Sequence, residues 1–343
     1  MVNTYGDRNP LACLHRDGRI VAILPGFPGT QEEIMTKMRL ETTSPFQGLA
    51  ELVADDEGLF AEEGIEIEWV KRANTPREVD PKITTPDGLS AFGSHGEAFE
   101  KGGADMYNAC EWGNYRRVQD TEAKGRQLGR RSIMVWAGIV VASDSDAYSP
   151  QQLANVQVAV PYYFGTHYLT YQMLEGFLPR DLIQTCRAPN GSSARYDALI
   201  NGDVAATTLT EPYLSLAEKN GCRVIIEGMY HGTEVASDDI DADTYAAFNR
   251  AVKKAVRMIN ADKRKYMQYF IDRHKGQHPG IETMTVDDFR LSRLQMVDPA
   301  PIPEEELQRT YEWMRSWGMI DELSPDVLVD VHRQQAAHEV SAE

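Results

Sequence analysis

The sequence has few of the features that mark a secreted, metal-binding or membrane-spanning protein. Its four cysteines are widely separated, and none lies in a CxxC or CxxH pattern. This spacing supports neither a metal site nor a disulfide framework. No apolar run approaches the roughly 20 residues that a helix needs to cross a bilayer. We therefore expect free thiols, no bound metal and no membrane insertion.

The sequence is also short of positive charge. Acidic residues number 52 and basic residues 35, which gives a formal net charge of −17. A field of this sign repels nucleic acid and anionic lipid surfaces, so nucleic acid is not an expected partner. A small organic anion is not excluded, because a helix N-terminus or a single arginine creates a local positive site.

The first 38 residues contain no apolar stretch long enough for a signal peptide. Their longest apolar run, 20–24, is interrupted by Pro25 and Gly26. On this basis we expect a cytoplasmic protein. The chain also has no GxGxxG after a strand, no GxxxxGK[ST] and no HExxH, so no cofactor is expected. The oligomeric state cannot be predicted from these features.

With 343 residues, the chain exceeds the size at which one hydrophobic core stops growing. After residue 38, strand and helix patterns alternate, which predicts an α/β fold with mainly parallel strands. Ile65, Ile67 and Trp69 alternate with glutamates and predict a half-buried strand. The apolar segment 132–142 predicts a buried strand, and a helical pattern of apolar residues begins at 243.

Four segments resemble a known group of ligand-binding proteins. They are LAELVADDEGLFAEEGIEIEWV at 49–70, AFEKGGADMY at 98–107, ALINGDVAAT at 198–207 and LTEPYLSLAEKNGCRVI at 209–225. In this order they resemble the NMT1/THI5-like and aliphatic-sulfonate/nitrate/taurine (SsuA-like) solute-binding proteins, over roughly residues 38–330. The resemblance implies a two-lobed, type-II periplasmic-binding-protein-like fold with a ligand cleft between the lobes.

The pattern further predicts where the lobes begin and end. Residues 1–37 form an N-terminal extension. Lobe 1 comprises 38–143 together with 238–343, and lobe 2 comprises 144–237. Two crossings, near Ser143 and at 228–237, are expected to join two separate sheets.

The resemblance places ligand contacts on loops at the carboxyl ends of strands and at helix N-termini, as is usual for open α/β sheets. The expected ligand-binding residues are Thr42, Thr43, Ser44, Ser94, His95, Trp112, Tyr162, Phe164, Gly165, Thr166, Ser192, Ser193, Arg195 and Glu211. Hydroxyls at helix starts suit a carboxylate or sulfonate, and aromatic rings suit an apolar body. The alternatives are ordinary ones: helix capping for the hydroxyls, core packing for Trp112 and solvent exposure for Arg195.

Two functional hypotheses follow from the sequence. The resemblance extends loosely to cytosolic enzymes: thiamin-pyrimidine synthase, aryl-sulfinate desulfinase and dihydroxyphthalate decarboxylases. One hypothesis is a cofactor-free lyase of the decarboxylase or desulfinase type, in which the positions of Glu111 and His167 suit proton donation and Cys110 is an alternative acid or nucleophile. The desulfinases have cysteine before proline where this chain has Ser44, so their nucleophile does not carry over. The alternative is a non-catalytic protein, either the binding component of an ABC-type uptake system or a cytosolic ligand sensor.

Overall fold

The computed structural model describes residues 13–16, 19–22, 35–41, 47–71, 96–121, 125–188, 191–321 and 329–340. The loop residues 42–44 and 94–95, which include five of the expected ligand contacts, lie outside these ranges. Among the described residues, no helix is long and apolar enough to cross a membrane.

The strands fall into a short hairpin and a large sheet. The strands are β1 Cys13–Arg16, β2 Arg19–Ala22, β3 Thr36–Glu41, β4 Ile65–Val70, β5 Met106–Cys110, β6 Arg126–Val141, β7 Gln157–Val160, β8 Gln184–Arg187, β9 Ala206–Thr210, β10 Arg223–Ala236 and β11 Gln295–Met296. β1 and β2 pair with each other, and the other strands form the large sheet.

Most helices follow a strand directly, which is the alternation that the sequence predicts. The helices are α1 Leu49–Asp56, α2 Leu59–Glu62, α3 Glu97–Glu100, α4 Glu111–Thr121, α5 Gly165–Glu175, α6 Ser192–Ile200, α7 Tyr213–Lys219, α8 Ala242–Ala261, α9 Lys263–His274, α10 Glu304–Ser316 and α11 Val331–Val340. The helical pattern that begins at 243 is confirmed by α8, whose apolar face is buried.

The large sheet has the order β4-β3-β5-β10-β6-β9-β7-β8, with β11 beside β6. The outer strands run parallel: β3 pairs with β4 and β5, and β7 pairs with β8 and β9. The two central strands, β6 and β10, run antiparallel to each other and to their outer neighbours. We refer to β3, β4 and β5 with their helices, together with the adjoining parts of the central strands, 126–131 of β6 and 232–236 of β10, as the first half. We refer to β7, β8 and β9 with their helices, together with 137–141 of β6, as the second half.

The sheet corrects one expectation. Two separate sheets with a crossing near Ser143 were expected, but the strand order is continuous. β6 already pairs with β9 of the second half at residues 137–141, so the chain passes between the halves within this strand. The chain returns from the second half to the first within β10, at 223–236. The register of β10 against β6 shifts there between His231 and Thr233. The lobe boundaries themselves stay a prediction.

Candidate functional site

The end of β5 and the start of α4 bring together three of the expected residues. β5 ends at Cys110, and α4 begins at the next residue. Trp112 is buried, with its ring 5.7 Å from the ring of Tyr168 on α5 and 5.3 Å from that of Tyr230 on β10. Because these three side chains come from both halves and from a central strand, Trp112 lies where the halves meet.

The start of α5 faces the same place from the second half. Gly165 is its first residue, and a Cβ there would collide with the ring and hydroxyl of Tyr230. On the opposite side, a Cβ at Gly113 would lie 3.1 Å from the carbonyl oxygen of Tyr163. Two glycines therefore allow the first turns of α4 and α5 to approach each other closely.

Tyr230 has the most unusual polar environment in this region. Its hydroxyl forms no hydrogen bond with any described residue. Burial raises the pKa of the phenol, the Cys110 thiol acts in the same direction, and the guanidinium groups of Arg131 and Arg195 oppose it. The hydroxyl can therefore still donate or accept a hydrogen bond, and it lies within electrostatic reach of one arginine of each half.

Arg195 lies on α6 and is buried. Its Nε donates to the carbonyl oxygen of Thr208 at 3.2 Å, and its Nη2 donates to the hydroxyl of Ser192 at 3.0 Å. Burial lowers the pKa of the guanidinium to about 10, and Tyr230 acts in the opposite direction. Burying a cation is costly, so an anionic ligand that reached this guanidinium would be attracted to it.

Arg131 on β6 is also buried, but it has a carboxylate of its own. Its Nη2 donates to Glu51 Oε1 at 3.1 Å and to the carbonyl oxygen of Gln47, just before α1. Its Nε has no hydrogen-bond partner among the described residues. Gly232 makes room for this side chain, because a Cβ there would lie 2.7 Å from the Cδ of Arg131.

His167 in the first turn of α5 is a neutral donor. Its Nδ1 accepts a hydrogen bond from the backbone N–H of Tyr163 at 3.2 Å, which leaves the proton on Nε2. Burial lowers the pKa of the imidazole to about 3. Within the described ranges, Nε2 has no partner. This histidine is therefore suited to donating a hydrogen bond and not to delivering a proton at neutral pH.

Glu111 opens α4, and its side chain is directed towards α10. It accepts hydrogen bonds from the hydroxyls of Tyr115 and Thr310. Burial raises the pKa of this carboxyl to about 7, and the charge of Glu306 acts in the same direction. The pKa is thus close to neutrality, as general acid catalysis requires. The carboxyl thus interacts with residues of α4 and α10, whereas Tyr230 is influenced by Cys110, Arg131 and Arg195.

Cys110 is partly buried and remains a thiol. Burial raises its pKa to about 12, against the opposing hydrogen bond that its Sγ accepts from the N–H of Gly113 at 3.2 Å. A thiol with this pKa is not ionised near neutral pH and is a poor nucleophile. The residue keeps some accessible surface although its surroundings are dry, as expected of a side chain that lines a cavity.

The other expected residues are dispersed. Thr166 is buried in the first turn of α5, and Phe164 precedes that helix. The hydroxyl of Tyr162 donates to the carbonyl oxygen of Thr185, away from Trp112. Ser193 bonds to Tyr213, and the carboxylate of Glu211 accepts hydrogen bonds from Ser215 and Arg293. Thr42, Thr43, Ser44, Ser94 and His95 lie outside the described residues. The site assignment as a whole stays a prediction.

Sequence reasoning missed Arg131 and Tyr230. Both lie inside the long central strands, whereas the search was confined to loops and helix starts. The one available signal was Arg131 itself, a charged residue at the edge of an apolar run. Because its counter-ion Glu51 is 80 residues away in the chain, no local pattern predicts that it is buried.

No protein-family model matches the chain, and no curated protein matches it. Solved structures do match. The alkanesulfonate-binding protein SsuA from Xanthomonas axonopodis pv. citri, bound to MOPS, gives a TM-score of 0.63 at 15% identity, over 87% of this chain and 97% of SsuA. The ligand-binding component of an ABC-type import system from Staphylococcus aureus, with zinc bound, gives 0.65 at 14% identity, over 88% and 99%. The chain has the fold of the periplasmic binding proteins.

An enzyme shares this fold. The desulfurization enzyme DszB, as a variant in complex with biphenyl-2-sulfinic acid, gives a TM-score of 0.58 at 14% identity, over 89% of this chain and 99% of DszB. The resemblance noted in the sequence is thereby confirmed for the fold. Because all three identities are low, the likeness does not extend to a ligand or an activity.

Proposed function

We propose that this protein binds a small organic anion, a carboxylate or sulfonate with an aromatic or apolar body, between α4 and α5. The observation that carries the proposal is the Tyr230 hydroxyl, which bonds to no described residue and lies within electrostatic reach of two buried arginines, Arg131 and Arg195. A hydroxyl and a guanidinium in a dry site are strong donors to an anionic oxygen. The solved structures of similar fold include proteins that bind a sulfonate and a sulfinate.

The apolar part of the ligand has a matching surface. Trp112, Tyr168 and Trp313 place three aromatic rings beside the polar groups, with the two tryptophan rings 6.3 Å apart. Clefts that combine aromatic walls with a few polar groups are the usual sites for small molecules. A ligand held at one end by charge and stacked at the other fits this composition.

The test compares two tyrosines. Tyr230→Phe removes a hydroxyl that bonds to no described residue, so we expect weaker binding of benzenesulfonate and benzoate, by about 1 kcal/mol or more, with stability unchanged. Tyr196→Phe is the matched control, because its hydroxyl accepts from Asn220 Nδ2 at 3.0 Å. It should lower the melting temperature without affecting binding.

Isothermal titration calorimetry and thermal shift measurements with these anions, and with benzylamine as a cationic analogue, would decide the matter. Binding of the anions and not of the amine supports the proposal. Native mass spectrometry of the protein purified from its own host would show any retained ligand by its mass. Failure of every aromatic carboxylate and sulfonate to bind, or tighter binding of the amine, would contradict it.

As a second candidate, we propose that the bound anion is turned over, a carboxylate by loss of carbon dioxide or a sulfinate by loss of sulfur dioxide, which water converts to sulfite. The supporting observation is the carboxyl of Glu111, whose pKa is raised to about 7 at the start of α4. In such a reaction the carbon–carbon or carbon–sulfur bond breaks, its electron pair stays on carbon, and a proton from the acid replaces the leaving group. Neither a redox step nor a metal is needed.

Glu111→Gln separates this candidate from simple binding. If Glu111 supplies the proton, the variant should bind biphenyl-2-sulfinate or an aromatic carboxylate as the wild type does but release less product, measured by liquid chromatography. Absence of product from the wild type across the panel would leave binding alone. Equal turnover in both proteins would remove Glu111 from the mechanism.

A further inference from the structure

Helix α10 lies along α4 of the first half. Arg130, at the start of β6, pairs with Glu306 in the first turn of α10. Just beyond its other end, the carbonyl oxygen of Met319 accepts a hydrogen bond from Arg116 Nη1 at 3.2 Å. Trp313 lies between these contacts, against Trp112. These contacts fix α10 to the first half along its length.

The same helix also reaches the second half. Glu175, the last residue of α5, accepts two indole hydrogen bonds, from Trp313 Nε1 at 2.6 Å and from Trp317 Nε1 at 3.0 Å. One carboxylate thus holds two tryptophans that lie one turn apart. A carboxylate with two N–H donors is a charge-assisted arrangement, stronger than a contact between neutral groups.

Arg180 adds a second set of contacts from the second half. Its Nη1 donates to the carbonyl oxygen of Ser316 at 2.8 Å, and its Nη2 donates to the hydroxyl of that residue at 3.1 Å. Its guanidinium carbon lies 4.3 Å from the ring centre of Trp317. The ring of Tyr171, on α5, meets the same indole edge-on at 4.7 Å.

We propose that α10 is a clasp that holds the candidate site closed, and that it must release α5 before a ligand enters or leaves. The clasp comprises Glu175 and Arg180 from the second half, and Trp313, Ser316 and Trp317 from α10 and its end. The proposal rests on the proposed ligand site between α4 and α5. Its test needs no ligand.

The exposure of the clasp fits a contact that opens and closes. The side chain of Glu175 is 26% exposed and that of Arg180 is 46% exposed, so water can replace each hydrogen bond as it breaks. By contrast, the aromatic contact between Trp112 and Trp313 lies on the first-half side. When the halves separate, α10 is therefore expected to move with α4, and the bonds to α5 are those that break.

Cys110 provides an internal reporter, because it ends β5 two residues before Trp112, whose ring lies against Trp313 of the clasp. We would measure the rate at which a bulky maleimide modifies each cysteine, by mass spectrometry of peptides. In Glu175→Ala/Arg180→Ala, we expect Cys110 to react at least about tenfold faster, since weakening the closed state raises the open population in proportion. Cys222, buried beyond α7, should react at its wild-type rate.

Two further variants make the result decisive. Glu175→Gln keeps one acceptor oxygen and should give a smaller increase at Cys110. Arg264→Ala removes an exposed ion pair with Asp287, far from the clasp, and should change nothing. An unchanged rate at Cys110 in the double variant would overturn the proposal, as would equal acceleration of Cys110 and Cys222, which indicates general loosening. Failure of anions to bind would overturn the proposed function without altering this result.

Discussion

The two halves of the molecule bury their charges in opposite ways. In the first half, the guanidinium of Arg131 pairs with Glu51, and a second buried carboxyl, Glu234, lies close enough for the charge of Glu51 to act on it. In the second half, Arg195 donates to the neutral oxygens of Thr208 and Ser192.

The difference indicates that the two buried arginines have different roles. A buried cation that already has a carboxylate needs no further anion, and its role is to hold the structure together. Burial lowers the pKa of the Arg195 guanidinium to about 10, so an anion that reaches this cation is expected to offset part of the cost of burying it. Arg131 is therefore expected to matter mainly for stability and Arg195 for binding as well.

Removing the guanidinium from the first half should have the largest effect. Arg131→Met leaves the carboxylate of Glu51 buried without its counter-ion, which is expected to cost about 3–5 kcal/mol of unfolding free energy. Arg195→Met loses the hydrogen bonds to Thr208 and Ser192 and should cost less, about 2 kcal/mol, which is in the range for hydrogen bonds of a charged group. Urea unfolding of both variants measures the two free energies. An equal loss of unfolding free energy in both would refute the different roles of Arg131 and Arg195.

The excess of acid in the first half predicts a pH dependence. Burial, with the charge of Glu51 acting in the same direction, raises the pKa of Glu234 to about 8. The native state keeps this proton over a range in which the unfolded chain has lost it. The free energy of unfolding should therefore fall as pH rises from about 5 to about 8, by up to about 1.4 kcal/mol per pH unit.

Glu234→Gln tests this, because the amide cannot ionise. Unfolding measured at several pH values should show a shallower slope in the variant. Some slope should persist, since the pKa of Glu111 is raised to about 7 and acts in the same direction. An identical slope in wild type and variant would mean that Glu234 does not retain a proton in the native state.

The regular parts of the fold were predictable because their patterns are local. The alternation at Ile65, Ile67 and Trp69 predicted β4, and the apolar face of α8 follows from helical spacing. The start of β6 was not predictable, because 126–131 contains three arginines and a glutamine. Those residues join the strand because β10 pairs with them and because distant carboxylates, such as Glu51 and Glu306, neutralise two of the arginines.

The candidate site was predictable only where it lies at the ends of strands and starts of helices. The approach of Trp112 to the start of α5 follows from the expected fold. The contributions of Tyr230 and Arg131 do not, because both depend on the central strands running through both halves. The clasp could not be predicted either, since Glu175 and Trp313 are 138 residues apart.

In the second half, loss of the guanidinium should weaken binding as well as stability. Arg195→Met is expected to lower the affinity for benzenesulfonate by about 2 kcal/mol, roughly 30-fold, which is the range for a hydrogen bond to a charged group. Calorimetry gives the dissociation constants. The control is Arg264→Met, at an exposed site, which should bind as the wild type does. Unaltered affinity in Arg195→Met would place the anion elsewhere.

The smallest effect is expected from removing a single hydroxyl, that of Thr166, near the site of Arg195. Thr166 is buried in the first turn of α5, and its hydroxyl has no hydrogen bond to any described residue. A hydroxyl at a helix N-terminus can donate to an anion, so Thr166→Ala should weaken benzenesulfonate binding by about 1 kcal/mol. Thr166→Ser keeps the hydroxyl and loses only the methyl group, so its affinity should stay near that of the wild type. If serine weakens binding as much as alanine does, the methyl group of Thr166 and not its hydroxyl makes the contact. The second half would then hold the anion through Arg195 and the N–H groups of the helix, without the Thr166 hydroxyl.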